Sequence, residues 1–293
     1  MTTSTATTIA VAGATGAQGG AVVDALLEQG ASVRALVRST GSERARNLAD
    51  RGVELVQIDA KDPASLSNAL QGVNAFFFMT TPYGDSQNPD IDGEIQQGVD
   101  FADAAAAAQV PHVVFSSVGG AERNSGVPHF ESKRRVEEHL LERDLSATLV
   151  RPVFFMDNFF AMAPTVEGNE LVLRLPVPDG IKLQMVATRD IGVVAAAALL
   201  DPSAVPAAIE IAGDELTGSE IAAALGAHIG LSARYEALPV EVLDGQDDLQ
   251  KMFRWFADTP AYQADIAAVR RIDPSLWNLQ SWLQATNYSL ASS

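Results

Sequence analysis

The feature that most constrains the fold is a regular alternation of apolar runs and helix-like segments through the first half of the chain. The apolar runs are continuous, which is typical of strands covered on both faces in a parallel sheet. The predicted strands are residues 8–13, 31–38, 53–60, 73–80, 112–120 and 146–155, and the predicted helices are 21–30, 65–72, 94–110 and 131–144. This order predicts an α/β fold with a doubly wound parallel sheet of the Rossmann type.

The alternation stops after Phe155, where prolines, turn residues and a hairpin-like pair of strands follow. Later elements are predicted as helices 189–202 and 216–230 and strand 207–213, before a mostly helical tail. We therefore predict a Rossmann domain over residues 1–153, to which residues 186–203 return. Residues 154–293 are predicted to form a smaller, partly interleaved α+β domain for a substrate or a partner.

Composition limits the kinds of ligand. Of 293 residues, 47 % are hydrophobic and 19 % charged, none is cysteine, and the net charge is −17. Such an acidic surface repels phosphate backbones and anionic lipids, so we expect neither nucleic acid nor a membrane as a partner. Without cysteines, and with scattered histidines, no metal site is expected. We expect a cytoplasmic protein that binds a small molecule.

A glycine-rich turn separates the first predicted strand from the first predicted helix. Gly13, Gly16 and Gly19 allow a tight turn, a close approach to a pyrophosphate, and a helix N-terminus aimed at that anion. Glycines also punctuate structural turns, but the strand–turn–helix context favours dinucleotide binding. The candidate contacts in this turn are Gly13, Thr15, Gly16, Ala17, Gln18 and Gly19.

The end of the second predicted strand bears on which dinucleotide is bound. Sites that prefer NAD place Asp or Glu there for the ribose 2′-hydroxyl, whereas this chain has Arg38. A guanidinium suits a 2′-phosphate, so we predict NADP(H); the alternative is that Arg38 is an ordinary surface residue. Other strand ends offer Asp59 and Ala60 near the adenine, and Thr80, Thr81 and Pro82 near the ribose and phosphates.

Several segments resemble the NmrA-like family, whose members are atypical short-chain dehydrogenases/reductases. The matching segments are GATGAQGG, LVR at the second strand end, HFESKRRVEEHL, LVRPVFFMDNF and the terminal MFRWF…LWNLQSWL. They lie between residues 8 and 283. The resemblance implies a Rossmann part that binds NADP(H) and a smaller C-terminal part that closes the cleft. Some members reduce quinones or related carbonyl compounds, and others are regulators that bind the dinucleotide and partner proteins.

The resemblance also implies catalytic positions. The superfamily uses a serine, and a tyrosine four residues before a lysine; the tyrosine supplies a proton, and the lysine binds the nicotinamide ribose. Lys133 matches the lysine, and His129 stands at the tyrosine position. Ser116 or Ser117, after the fifth predicted strand, matches the serine; the equal alternative for either is packing at the strand end. Imidazole titrates near neutrality, so His129 is a candidate proton donor, or else a polar residue before a helix. The candidate catalytic residues are Lys133, His129 and Ser117.

The segment RPVFFMDNF resembles the family's loop that faces the nicotinamide. This resemblance implies that Pro152, Phe154, Phe155 and Asp157 contact the cofactor. The alternative is that the aromatic residues form the core of the junction between the two domains, and both readings are compatible.

Two functions of different class follow. The first is an NADP(H)-dependent oxidoreductase that transfers hydride from NADPH to a small quinone, carbonyl or enone substrate. The second, suggested by the missing tyrosine, is a non-catalytic NADP(H)-sensing regulator that acts through a protein partner. Nucleotide-sugar epimerase or dehydratase chemistry ranks last, because it normally uses that tyrosine. The oligomeric state is open, with a homodimer or a regulatory partner as alternatives.

Overall fold

The computed structural model describes residues 7–81, 83–84, 89–258 and 260–290. Its strands are β1 (Thr8–Ala12), β2 (Ser32–Val37), β3 (Glu54–Gln57), β4 (Ala75–Met79), β5 (Tyr83–Gly84), β6 (Pro89–Asp90), β7 (Val113–Ser116), β8 (Ala147–Pro152), β9 (Phe154–Phe155), β10 (Thr165–Glu167), β11 (Glu170–Leu175), β12 (Lys182–Val186), β13 (Ala208–Ile211), β14 (Asp214–Thr217) and β15 (Ser232–Ala237). Its α-helices are α1 (Ala17–Glu28), α2 (Glu43–Asp50), α3 (Pro63–Ala69), α4 (Ile91–Ala107), α5 (Pro128–Glu142), α6 (Thr188–Leu200), α7 (Gly218–Ile229), α8 (Asp247–Ala257), α9 (Ile266–Ile272) and α10 (Leu279–Ala285). None of the helices in these ranges is both long and apolar enough to cross a bilayer.

Among the described residues, seven parallel strands form one sheet in the order β13-β8-β7-β4-β1-β2-β3. The chain runs outward from β1 to β3 and then returns to β4 on the other side of β1. The gap between the carboxyl ends of β1 and β4 is therefore the switch point, where doubly wound sheets bind ligands. The predicted doubly wound Rossmann fold is confirmed.

The two faces of this sheet have separate cores, as the alternation of side chains along a strand requires. Ile9 and Val11 of β1 face a core shared with α1 and α6. Ala10 of β1 and Phe78 of β4 face the opposite core, where Phe101 of α4 packs against Phe78. Helices therefore cover both faces, which explains why the strands are apolar throughout.

Helices α1 and α6 pack unusually closely on the first face. A Cβ atom built on Gly192 of α6 would lie 2.4 Å from the carbonyl oxygen of Ala21 in α1. Strand β13 also joins the main sheet, with Ala208 paired with Leu149 of β8. The domain boundary predicted at residue 154 assigns this strand to the smaller domain. The chain thus returns to the main sheet and its covering helices twice after that boundary.

The remaining elements form a second core around two small sheets, β10-β11-β15 and β14-β12-β9. Phe154, Phe159, Phe256 and Trp282 are buried in it. The single strand predicted over residues 146–155 is wrong in its second part. Strand β8 ends at Pro152, although Val153 still donates a hydrogen bond of 3.3 Å to Ile211 O, and Phe154–Phe155 pair with β12 instead. The chain therefore passes from the main sheet to the second core within this segment.

Candidate functional site

The turn after β1 depends on the absence of side chains at two glycines. Gly13 has φ +69°, and its carbonyl oxygen accepts a hydrogen bond of 2.8 Å from the N–H of Gly16. A Cβ atom on Gly19 would lie 2.3 Å from that same carbonyl oxygen. An L-residue with a side chain would therefore be strained at the first position and would collide with backbone at the second. Only this glycine pattern lets α1 start so close to the end of β1.

Helix α1 begins at Ala17 with its N-terminal N–H groups available. Its N-cap residue is Gly16, and no side chain of the described residues caps it. Because these N–H groups and the helix dipole favour an anion, the turn fits the pyrophosphate of a dinucleotide. The turn lies at the switch point, and a Cβ atom on Gly13 would lie 3.8 Å from Met79 Cγ at the end of β4. The predicted contacts from Gly13 to Gly19 are thus brought together at one helix terminus.

The predicted 2′-phosphate contact follows β2. Arg38 is exposed, and no described residue forms a hydrogen bond or an ion pair with its guanidinium. A second arginine, Arg44 near the start of α2, donates a hydrogen bond of 3.3 Å to the carbonyl oxygen of Thr15. Asp59 and Ala60 follow the edge strand β3, where the Asp59 carboxylate accepts a hydrogen bond from the N–H of Lys61. The structure therefore leaves the Arg38 charge free for a ligand beside β2.

A buried charge network occupies the end of β4. Lys133 Nζ lies 2.5 Å from Glu94 Oε1, and it also contacts Thr80 through the side-chain oxygen at 3.3 Å and the carbonyl oxygen at 3.5 Å. Glu94 is fully buried and also accepts hydrogen bonds from the hydroxyls of Thr80 and Ser132, at 3.0 and 2.6 Å. A buried carboxylate needs such donors, since an unpaired charge there is costly. Glu94 therefore fixes the Lys133 ammonium beside Thr80.

The neighbours of Thr80 complete this part of the predicted set. The N–H of Thr81 donates a hydrogen bond of 3.1 Å to Gln97 Oε1 in α4. Pro82, the third residue predicted here, lies outside the described residues.

The residue at the tyrosine position pairs with a distant helix. His129 Nδ1 lies 2.7 Å from Asp248 Oδ2, and the backbone N–H of His129 donates a 3.0 Å hydrogen bond to Asp248 Oδ1. Burial by itself would raise the pKa of Asp248. The hydrogen bonds and positive charge of His129, with Lys133 further away, outweigh burial and lower that pKa. Asp248 is therefore a carboxylate near neutral pH.

The two serines after β7 have different surroundings. Ser116 Oγ donates a 2.7 Å hydrogen bond to Gln18 Oε1, which ties the end of β7 to α1. Ser117 Oγ is buried and has no hydrogen-bond partner among the described residues. The structure thus does not join Ser117 to His129 or Lys133 by a direct hydrogen bond.

The predicted nicotinamide loop divides between core and cleft. The ring of Phe154 packs against Phe159 and Phe256 in the second core, whereas Phe155 is only partly buried. Asp157 accepts a 2.9 Å hydrogen bond from the N–H of Thr188, at the start of α6. A groove of about 360 Å³ runs along the surface where α1 and α6 meet, and it is lined by Gly16, Ala17, Asp157 and Thr188 among others. The predicted Asp157 thus lies beside the glycine turn.

Sequence reasoning missed Glu94 and Asp248. Neither belongs to a motif: Glu94 has the appearance of an ordinary helical residue of α4, and Asp248 stands next to Asp247 in an acidic helix start. Their importance depends on contacts with residues 39 and 119 positions away. No local signal in the sequence identifies either one.

Comparison with known proteins bears on the family of this chain. The model of the NmrA-like family matches residues 5–288. An NAD(P)H azoreductase of Xenophilus azovorans is 34 % identical over 235 residues, which are 80 % of this chain and 78 % of that protein. The resemblance predicted from the sequence segments is therefore confirmed.

Solved structures share the fold at lower identity. The NADPH-dependent quinone oxidoreductase QOR2 of Escherichia coli, in complex with NADPH, aligns with a TM-score of 0.79 and 22 % identity, covering 96 % of this chain and all of that one. NmrA, a negative transcriptional regulator in complex with NAD, aligns with a TM-score of 0.80 and 21 % identity, covering 97 % and 98 %. Because the family model matches residues 5–288 of 293, nearly the whole chain, the chain belongs to the NmrA-like family.

Proposed function

We propose that this protein is an NADP(H)-dependent oxidoreductase that transfers hydride from NADPH to a small quinone, carbonyl or enone substrate. The observation that carries the proposal is the uncapped start of α1 at the switch point, with Lys133 and His129 on one helix beside it. Two relatives support the choice, since one is named an NAD(P)H azoreductase and another was solved with NADPH. A cytoplasmic location is part of the same proposal.

The preference for NADP(H) rests on Arg38. Its guanidinium is exposed and unpaired among the described residues, and it directly follows β2, where NAD sites carry an acidic residue. On a chain with a net charge of −17, a 2′-phosphate requires a local cation of this kind. Arg44, held against Thr15, adds a second positive charge near the same turn.

The proposed cofactor contacts follow the carboxyl edge of the sheet. Gly13, Thr15, Gly16, Ala17, Gln18 and Gly19 hold the pyrophosphate; Asp59 and Ala60 border the adenine; Thr80, Thr81 and Lys133 contact the ribose and phosphates; and Pro152, Phe155, Asp157 and the backbone of Phe154 contact the nicotinamide end. The dinucleotide, when bound, supplies the hydride. The chain's own task is to orient it, to exclude water and to manage the proton.

Three side chains are proposed to act at the reacting end. Lys133, fixed by Glu94, binds the ribose hydroxyls and adds positive charge. His129 donates a proton to the substrate oxygen in place of the missing tyrosine. Ser117, whose buried hydroxyl has no partner among the described residues, donates a hydrogen bond to the same oxygen.

The test is a screen of NADPH oxidation with quinones, aldehydes, enones and azo compounds. We expect turnover with at least one class, at a rate that falls in a His129→Phe variant while NADP(H) binding, measured by calorimetry, stays within about threefold. A protein that binds NADP(H) but reduces none of these compounds would contradict the enzyme and favour the regulator. In that case NADP⁺ and NADPH must bind two protein states differently, because equal affinity shifts no equilibrium.

A further inference from the structure

The contact between His129 and Asp248 joins the helix that carries the proposed proton donor to a helix of the second core. Asp248 reaches His129 from α8, and each of its two oxygens accepts one N–H of the same residue. The backbone N–H of His129 belongs to the first turn of α5, which no side chain caps at its N-cap residue Val127. Asp248 therefore serves as an acceptor for an otherwise free helix N–H as well as for the imidazole.

This geometry decides which ring nitrogen carries the fixed hydrogen. An ionised carboxylate can only accept, so His129 Nδ1 must be the donor in the 2.7 Å contact. The other nitrogen, Nε2, forms no hydrogen bond with any described residue, and the side chain is 22 % exposed. Nε2 is thus the atom at which His129 can gain or lose a proton.

The position of the ring follows from its neighbour one turn along α5. Residues four apart on a helix lie on the same face, so His129 and Lys133 are adjacent. Lys133 contacts Thr80 just beyond β4, and β4 lies beside the glycine turn after β1. His129 therefore lies one helical turn before Lys133, on the face of α5 that approaches the end of β4 at the switch point.

We propose that Asp248 is a positioning residue that holds His129 with Nε2 directed for proton donation; this inference rests on the proposed reductase function. As the carbonyl carbon of the substrate accepts a hydride, the carbonyl electron pair moves onto oxygen, and that oxygen takes the proton from Nε2 of the imidazolium. The products are the alcohol, the oxidised dinucleotide and a neutral imidazole that keeps its Nδ1 hydrogen in the contact with Asp248. Solvent then returns a proton to Nε2.

The charges around His129 predict a pH dependence. Asp248 on α8 stabilises the imidazolium, Lys133 on α5 opposes it, and Glu94 on α4 is already paired with Lys133. Since the protonated ring is the donor, kcat should fall at high pH, where Nε2 carries no proton, and this gives the pH profile a descending limb. Loss of the Asp248 charge should move that descending limb to lower pH.

The test compares Asp248→Asn with Asp247→Asn, which removes the same charge from the neighbouring, exposed residue that pairs with Lys251. Asparagine replaces one carboxylate oxygen by an NH₂ donor, so the two contacts with the N–H groups of His129, one to each oxygen, cannot both persist in their present geometry. We expect Asp248→Asn to lower kcat by about 10- to 100-fold and to shift the descending limb, with KM for NADPH within about twofold. Asp247→Asn and wild type should behave alike, and Asp248→Glu should recover part of the rate.

A second readout needs no turnover. In nitrogen-15 NMR spectra of the protein without nucleotide, the His129 ring should be in the Nδ1–H form in wild type and Asp247→Asn, and should lose that preference in Asp248→Asn. If a folded Asp248→Asn protein kept the Nδ1–H form of the His129 ring, or kept the wild-type kcat and pH profile, the role of Asp248 alone would be overturned. Wild type that binds NADPH without reducing any substrate would instead overturn the reductase, and this inference with it.

Discussion

The two sides of the switch-point crevice are built in opposite ways. On the α1 side, the turn from Gly13 to Gly19 is shaped by missing side chains and by bonds between residues close in sequence. On the α5 side, Lys133 and His129 are fixed by side chains from α4, α8 and the end of β4. The first side specifies a backbone path, and the second specifies the placement of charge. Ligand binding and proton chemistry should therefore respond to different substitutions.

The largest effect is expected from a substitution that disrupts only the glycine turn on the α1 side. Gly19→Ala places a Cβ 2.3 Å from the Gly13 carbonyl, so we expect dinucleotide affinity to fall by at least about 100-fold and stability by about 1–3 kcal/mol. Calorimetric titration and urea unfolding measure the two effects. Gly20→Ala is the matched control, because its Cβ would lie an ordinary 3.6 Å from Ala14 O. Equal behaviour of the two variants would show that the turn tolerates side chains.

On the α5 side, the corresponding experiment removes one member of the ion pair. Lys133→Met leaves the fully buried Glu94 without its cation, so we expect it to lower the free energy of unfolding by about 3 kcal/mol. The double variant Lys133→Met/Glu94→Gln should recover most of this loss, since no buried charge then remains. Urea unfolding tests both proteins. A double variant no more stable than the single one would contradict the pairing.

On the α6 side of the crevice, the buried carboxyl group of Asp190 makes stability depend on pH independently of the proton chemistry proposed for the α5 side. Burial raises the pKa of Asp190 to about 6, against the hydrogen bonds that it accepts from Arg189 and the Trp277 N–H. The native state therefore keeps this proton between about pH 4 and pH 6, where the unfolded chain has lost it. This proton contributes about 2–3 kcal/mol to the free energy of unfolding below about pH 4, and the contribution is lost as pH rises through about 6.

The Asp190→Asn variant lacks this titration. The difference in unfolding free energy, wild type minus variant, should therefore fall across that pH range. A difference that stays flat between pH 4 and pH 6 would show that Asp190 titrates normally.

The smallest effect is expected from a substitution that tests the ligand specificity of the α1 side. Arg38→Ala should weaken NADPH binding by about tenfold and leave NADH binding unchanged, because only the former carries the 2′-phosphate. Arg46→Ala removes an equal charge from the exposed face of α2 and serves as the control. Calorimetry with both nucleotides measures the ratio. Equal losses of affinity for NADPH and NADH would show that Arg38 attracts either dinucleotide by its charge and does not recognise the 2′-phosphate.

The sequence predicted the features whose causes are local. Apolar runs gave β1, β2, β4 and β7, and the glycine spacing located the turn before α1, because both depend on neighbouring residues. The break after Pro152 was missed, since Phe154 and Phe155 are as apolar as a continuing strand and only their pairing with β12 distinguishes them. The partners of Lys133 and His129 were missed for a similar reason. Their contacts join residues 39 and 119 positions apart, and no periodic pattern in the sequence indicates a contact over such a separation.

The close contact between Gly192 and Ala21 has a consequence for biosynthesis. These residues are separated by more than half of the chain, so a ribosome completes the glycine turn long before it makes the helix that covers α1. Until α6 emerges, apolar residues such as Val22 and Leu26 lack part of their packing. A nascent chain that ends before α6 should therefore be open to chaperones and unable to retain a nucleotide. Competence to bind arrives late in translation, although the residues that confer it come first.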